Sequence, residues 1–302
     1  MTDPNSQLFD YITENQLQLL RVDASLRKLV LKDLNKLEKE ITTLLLDSEL
    51  SQSRQKILKS LLVEVQKATT SAYETINANL EEQYKDLADI EASGLARTLQ
   101  SDSIGIVLTT TALPAAKLIS IAKDTLIEGA PSSEWWSRQS RQLGQKFADQ
   151  MRMGLAIGET NDQLIRRVRG TKAFNYTNGI MEVTRNDADA LVRSSAQAVA
   201  NEARLSVFES NEDLIESYRH VSTLDNRTSA TCIVRDGKRW DAKTKEPIGH
   251  NLPFIRPPLH WRCRSTLVAE LKGVDLSAAD RASQDGPVNS KVTFEKFLSG
   301  KS

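Results

Sequence analysis

The chain has 302 residues, enough for two domains that each bury a core. Basic and acidic residues number 40 each, so total charge points to no class of partner and only local clustering can. Two cysteines exclude a disulfide-stapled secreted scaffold, the opening MTDPNSQLFDYITEN lacks the regions of a signal peptide, and no apolar run approaches bilayer length, so the expectation is a protein folded in a cytoplasm with no membrane partner.

Between Pro4 and Pro114 there is no proline, and the first glycine is Gly94. Proline and glycine are the residues that most penalise helix interiors, so their absence permits long helices. Leu26, Val30, Leu34, Leu37, Ile41 and Leu44 recur every three or four positions, as do Leu58, Leu61, Val65, Ala68, Ala72, Ile76 and Leu80. Asp47 to Ser51 supplies turn and capping residues between the two stripes. These features predict a helical hairpin or small bundle over residues 7–95, within a first domain of residues 1–100.

After the break at 101–105, the segment 106–114 is rich in β-branched residues and reads as a short strand or a buried stretch. Helix returns over 115–214, with starts expected at Ser132-Ser133-Glu134, at Thr160 and at Asp187. The last of these carries Val192, Ala196, Val199, Ala203 and Val207 on one face. Tyr218 to Leu224 alternates as a strand and opens a loop-rich β module over 217–271. Residues 272–302 read as a mobile polar tail ending in a short docking helix. The expected fold class is α+β and predominantly helical, with an N-terminal bundle followed over 101–271 by a domain of helices and a small β module.

The chemistry concentrates in that module. The forty residues after Leu224 hold both cysteines, two of three histidines and four of eight prolines. His260 and Cys263 stand at H-x-x-C spacing, which suits two ligands of one tetrahedral ion, and Cys232 is a candidate third. His250, Asp225 and Asp241 are candidates for a fourth. Spacing alone leaves three readings open: a structural zinc, buried thiols beside a hydrogen-bonded imidazole, and a disulfide or reactive thiol. Asp236-Gly237 reads as a hairpin turn between Ile233-Val234 and Trp240. No nucleophile elbow, P-loop, dinucleotide fingerprint or H-E-x-x-H is present, and a Cys–His nucleophile pair lacks an orienting group, so no catalytic residues are assigned and no enzyme is expected.

The ordered set Thr223, Asp225, Arg227, Thr228, Cys232, then Asp236, Gly237, Lys238, then Pro257, Pro258, His260, Cys263, Arg264 resembles the motif series of the phage Mu F-like head morphogenesis family. The segment from Met153 through Gly158 to Gln163 and the alanine-rich stretch from Ala196 to Phe208 are similar to that family's upstream helices, so the resemblance covers residues 120–270. Two positions depart from it: Ser229 and Ser265 stand where the family pattern has cysteine. If those cysteines hold a metal, two ligands are replaced here by a residue that is not a usual zinc ligand. Hydrogen bonding then carries more of the motif, with Asp225 capping a turn and Arg227 forking onto oxygens.

Between Arg219 and Arg264 ten basic residues face four acidic ones, a surplus of six in a neutral chain. Arg235, Lys238, Arg239, Lys243, Lys245, Arg256, Arg262 and Arg264, with Trp240 and Trp261 among them, fit non-specific contact with a phosphate backbone. The resemblance implies a minor head protein of a tailed bacteriophage, located in the virion head or at the portal after assembly in the host cytoplasm. It would act in head morphogenesis and in DNA packaging, retention or ejection. Its implied partners are the portal protein, the major capsid or scaffold protein, and DNA. The competing reading is a nucleic-acid-binding or zinc-stabilised module that works outside the virion as a prophage-encoded effector.

Overall fold

A computed structural model describes residues 3–48, 54–101, 104, 106–108, 112–274, 279–283 and 286–300. Two long helices, α1 (Pro4–Asp47) and α2 (Arg54–Leu99), open the chain. The helices α3 (Ala115–Asp124), α4 (Ser132–Ala156), α5 (Asn161–Arg169) and α6 (Ile180–Glu209) follow, with the short strands β1 (Leu126–Ile127) and β2 (Ala130–Pro131) ahead of α4. The C-terminal part contains β3 (Ile215–Val221), α7 (Ala230–Arg235), β4 (Arg239–Asp241), β5 (Pro247–Ile248), β6 (Thr266–Leu271), β7 (Asp280–Ser283), β8 (Gly286–Asn289) and α8 (Phe294–Leu298). The protein is α+β and predominantly helical, and among the described residues no helix is long and apolar enough to cross a membrane.

The predicted stripe on α1 is buried as expected, except that Leu45 replaces Leu44 at its end. On α2 the stripe drifts by one position: Thr69 and Tyr73 are buried where Ala68 and Ala72 were expected, while Leu61, Val65, Ile76 and Leu80 hold their places. Of the turn expected at 47–51, residues 49–51 lie outside the described residues, as do 109–111 of the β-branched stretch. Residues 106–108 are in no strand, although Leu108 is buried.

The chain divides into two compact units, and each is discontinuous. The expected division at 100 and 271 runs along the chain; the compact units do not. One unit comprises Ala24–Glu82 and Ala130–Arg193. Within it Tyr73 and Trp136 pack ring against ring at 6.0 Å, and Glu38 pairs with Arg169 at 3.2 Å and with Arg185. The predicted start at Thr160 is a capping box: the Gln163 amide donates to the Thr160 hydroxyl and the Thr160 amide to the Gln163 side chain. Asn161 donates to the carbonyls of Leu45 (2.9 Å) and Ser48 (2.8 Å), satisfying acceptors that the end of α1 leaves open.

The other unit comprises Met1–Asp23, Gln83–Gly129 and Ser194–Ser302. Its antiparallel sheet has the order β5-β4-β3-β6, with Tyr218 opposite both Trp240 and Ala269 and a bulge at Ile215–Ser217. Leu8, Phe9, Ile12, Leu95, Leu99, Phe208, Tyr218 and Val268 share one apolar cluster beneath it. Residues expected as a mobile tail form the β7–β8 hairpin and α8. Arg281 on β7 is buried and forms a two-point contact with Asp236 (Nη2–Oδ1 2.5 Å, Nη1–Oδ2 2.8 Å).

Two local expectations are corrected. Helix α6 starts at Ile180, seven residues before Asp187, so the Asp187 region is helix interior. Residues 230–235 are a helix, so Asp236-Gly237 turns from α7 into β4 instead of joining two strands. The reason is Ser229, whose side chain accepts the Cys232 amide and starts the helix. Gly237 still makes the turn, at φ +73°.

From Ser194 to Phe208 helix α6 has no exposed residue, and its apolar stripe is as predicted. Its buried polar side chains were not. Ser194 accepts the Arg262 amide (2.8 Å), Gln197 and Asn201 both donate to the Ser265 carbonyl (3.1 and 3.2 Å), and Arg204 donates to the Thr266 hydroxyl (3.0 Å). Arg204 also forms an ion pair with Glu91 at 2.9 Å, the two side chains being 1% and 6% exposed. Removing one partner of such a pair leaves a buried charge. Arg204→Ala is therefore expected to cost about 3–5 kcal/mol in urea unfolding, and adding Glu91→Leu to restore much of it.

Candidate functional site

Strand β3 runs into a tight turn at Asp225. Its carboxylate accepts the Arg227 amide (2.9 Å) and the Thr228 hydroxyl (3.0 Å), which folds 225–228 back on itself. Arg264 grips both carboxylate oxygens, with the Nη2–Oδ1 contact at 2.9 Å. Burial alone would raise the Asp225 carboxyl, but Arg264, the Arg227 amide and Thr228 outweigh it and hold it at about 2. Arg227 does not fork inward: its guanidinium is 81% exposed and touches Asp225 at 3.3 Å.

This turn aims Ser229 and α7 at the segment that follows the cis peptide bond between Pro257 and Pro258. In that segment Arg262 adopts φ +60°, and the Cys263 amide donates to the His260 carbonyl (3.1 Å), so His260 and Cys263 face one point. Cys232 meets them there. Its sulfur lies 3.2 Å from His260 Nε2 and 3.7 Å from the Cys263 sulfur, and the Ser229 hydroxyl lies 2.8 Å from the same Nε2. His260 Nδ1 is 2.9 Å from the Trp261 carbonyl, which can only accept, so Nδ1 donates there and Nε2 is the ring nitrogen that faces the cluster. Within the sulfur pair the Cys232 thiol is pulled below its ordinary value, chiefly by the hydrogen bond from Cys263 and against the effect of burial. Cys263 is pushed up by Cys232 and by burial.

Of the four residues predicted to bind metal, the structure brings three together. His250 is elsewhere: Nε2 donates to the Arg239 carbonyl (2.8 Å), Nδ1 accepts the Leu252 amide (3.2 Å), and the ring stands edge-on to Trp240 at 4.8 Å. Asp241 accepts the amides of Lys243 and Thr244, and Asp225 is taken by Arg264. Sequence reasoning missed His220, which is fully buried on β3 with neither ring nitrogen in a hydrogen bond of normal geometry. It also missed Ser222, whose hydroxyl donates to the Cys232 carbonyl (3.1 Å).

The basic surplus is largely consumed by local pairs. Arg235 is buried, donating to the Pro253 carbonyl (2.8 Å) with its guanidinium over Trp240. Arg239 pairs with Glu270 (3.1 Å), Lys245 with Glu212 (3.4 Å), Arg256 with Glu202 and Glu209 (2.9 and 2.7 Å), and Arg264 with Asp225. Glu202, Glu209, Glu212 and Glu270 lie outside the 219–264 window, so counting charge along the chain could not register them. Lys238 and Lys243 have no ion-pair partner among the described residues, and the Arg262 side chain is exposed.

A second exposed feature stands in the unit that contains α4 and α5. The loop 170–179 holds Phe174 and Tyr176 outward, 63% and 50% exposed. Its neck is shut: a Cβ on Gly179 would meet the Gly170 nitrogen at 2.3 Å, and the Tyr176 amide donates to the Thr171 carbonyl (2.9 Å). Asn175 and Tyr176 both take positive φ. Arg166 beside the loop and Lys172 within it are exposed and have no ion-pair partner among the described residues.

The fold and site together define a helix-supported β module built around a Cys–His turn. Residues 145–268 match the model of a family described as Phage Mu protein F like protein, so this region of the chain is similar to that family. Among curated proteins and among solved structures, no significant match is found. The matched region contains α5, α6 and the whole Cys232–His260–Cys263 cluster, and it includes Ser229 and Ser265.

The Asp225–Arg264 clamp has a pH signature. Its folded pKa lies below the ordinary 3.8, so its stabilisation is complete above about pH 4 and is lost as pH falls through about 2. Comparing urea midpoints of the native protein and Asp225→Asn from neutral pH down to about pH 2 should show the native protein losing about 2 kcal/mol more than the variant.

Proposed function

We propose that the protein is a minor head protein of a tailed bacteriophage, acting in head morphogenesis beside the portal and with packaged DNA nearby. The observation that carries this reading is the match of residues 145–268 to the Mu F-like family. That match spans the same segment in which the motif residues converge in space. Work through protein contacts is supported by the charge pairing of the β module, which leaves few cations for phosphate. It is also supported by the loop 170–179. A closed loop that keeps two aromatic side chains outward, with Arg166 and Lys172 beside them, suits an acidic, partly apolar surface on a portal or capsid subunit.

Mass spectrometry of purified procapsids and virions tests the location: the chain is expected in both at low copy number, and its absence from both overturns the reading. The double variant Phe174→Ala/Tyr176→Ala removes exposed rings, so it should fold normally, with a Tm within about 2 °C of the native protein. Its incorporation into procapsids should fall by at least about tenfold, the loss expected when aromatic anchors are truncated.

DNA contact belongs to the proposal only as a minor term, centred on Lys238 and Lys243. With so few phosphates neutralised, log affinity for duplex DNA should fall with log salt at a slope shallower than about −3. A slope near −7, the value for eight engaged cations at about −0.9 each, would restore the wider basic patch.

A further inference from the structure

We propose that Cys232, Cys263 and His260 bind one zinc-class ion, and that the fourth position of the tetrahedron lies beside Ser229 and is taken by water. With zinc–sulfur bonds of about 2.3 Å and zinc–nitrogen bonds of about 2.0 Å, tetrahedral geometry separates two sulfurs by about 3.8 Å and sulfur from nitrogen by about 3.5 Å. The protein holds the two sulfurs 3.7 Å apart and Cys232 Sγ 3.2 Å from His260 Nε2, with all three donor atoms within 4.8 Å of one another. A disulfide would need about 2.05 Å between the sulfurs.

The surroundings suit a ligand set better than a packed thiol pair. Both cysteines are buried. His260 Nδ1 is held by the Trp261 carbonyl, which fixes the tautomer that presents Nε2, the arrangement that metal-bound histidines use. The backbone of the 260–263 turn is fixed in its turn by Ser194 on α6, which accepts the Arg262 amide (2.8 Å). His220 on β3, fully buried with neither ring nitrogen in a hydrogen bond of normal geometry, marks a place where protein atoms alone leave polar groups unsatisfied. Ser229 sets the fourth position. Its hydroxyl is 2.8 Å from Nε2 and accepts the Cys232 amide at 3.3 Å, so it stands at the open side of the cluster. A serine hydroxyl is a poor zinc ligand but a good hydrogen-bond partner for a bound water. Thiolate, imidazole and water are donors for zinc or cobalt, not for magnesium or calcium.

The test adds Co2+ to the reduced, full-length protein and follows thiolate-to-cobalt charge transfer and the visible bands of tetrahedral cobalt, with Zn2+ competing the ion off. One equivalent is expected to bind with both signatures. Cys232→Ser and Cys263→Ser should each reduce the charge-transfer band and weaken binding by at least about tenfold, with helical circular dichroism confirming that the variants fold. The decisive variant is Ser229→Cys, because it gains a signal: a third thiolate should raise the charge-transfer intensity and tighten zinc by at least about tenfold. An unchanged affinity and spectrum in Ser229→Cys overturns the assignment of the fourth position. Absence of any cobalt–thiolate band while two free thiols titrate overturns the site altogether, as does a Cys232–Cys263 disulfide in protein recovered from a reducing cytoplasm.

Discussion

The module depends on one helix being almost wholly enclosed from Ser194 to Phe208, with only Glu202 partly open to solvent. Once residues 194–208 of α6 are enclosed, every polar side chain there must find a partner inside the protein or leave an unsatisfied group. Ser194, Gln197, Asn201 and Arg204 follow one another by three or four residues, so they form a row on the helix. That row contacts a short stretch of backbone and side chain from Arg262 to Thr266. The same contacts that satisfy α6 therefore set the position of Cys263 and the start of β6. An apolar helix of equal volume would fill the core but would not specify the register of that segment.

Charge is handled in the same economical way. Glu270 on β6 lies between Arg219 and Arg239, and Asp236 takes the buried Arg281. Arg264 holds the turn that delivers Ser229 to His260. These pairs join elements that meet only in the folded chain, and removing Arg281 or Asp236, both buried, leaves a charge with little water around it. The surplus of basic residues in the segment is thus mostly a structural inventory, and the outward-facing remainder is small.

How much of this was legible in the sequence follows from the physics of each feature. The long helices were legible because a hundred residues without proline, and nearly as many without glycine, leave the backbone few alternatives. The drift of the α2 stripe to Thr69 and Tyr73 was not, since small alanines can face either way and an enclosed tyrosine depends on what packs against it. That His260 and Cys263 face one point could be read from H-x-x-C spacing, whereas Cys232 was only a candidate third member because nothing in the spacing links it to them. The place of His250 could not, because a histidine in a loop takes whichever carbonyl lies nearest. The polar row of α6 reads, in one dimension, like an ordinary solvated face. Helix α7 was hidden because six residues carry too little periodicity to separate helix from strand, and only the capping role of Ser229 decides between them.

Asn5 accepts the Leu271 amide across 266 residues, and Thr13 donates to the Asp280 carbonyl across 267. The first turns of α1 thus share a compact unit with strands made more than 260 residues later. While the intervening chain is being made, Leu8, Phe9 and Ile12 have no sheet to cover them. Long-range closure of this kind is slow, and apolar surface exposed in the meantime invites association. The apolar end of α1 therefore stays uncovered through most of synthesis, and a variant that slows completion of the sheet lengthens that exposure.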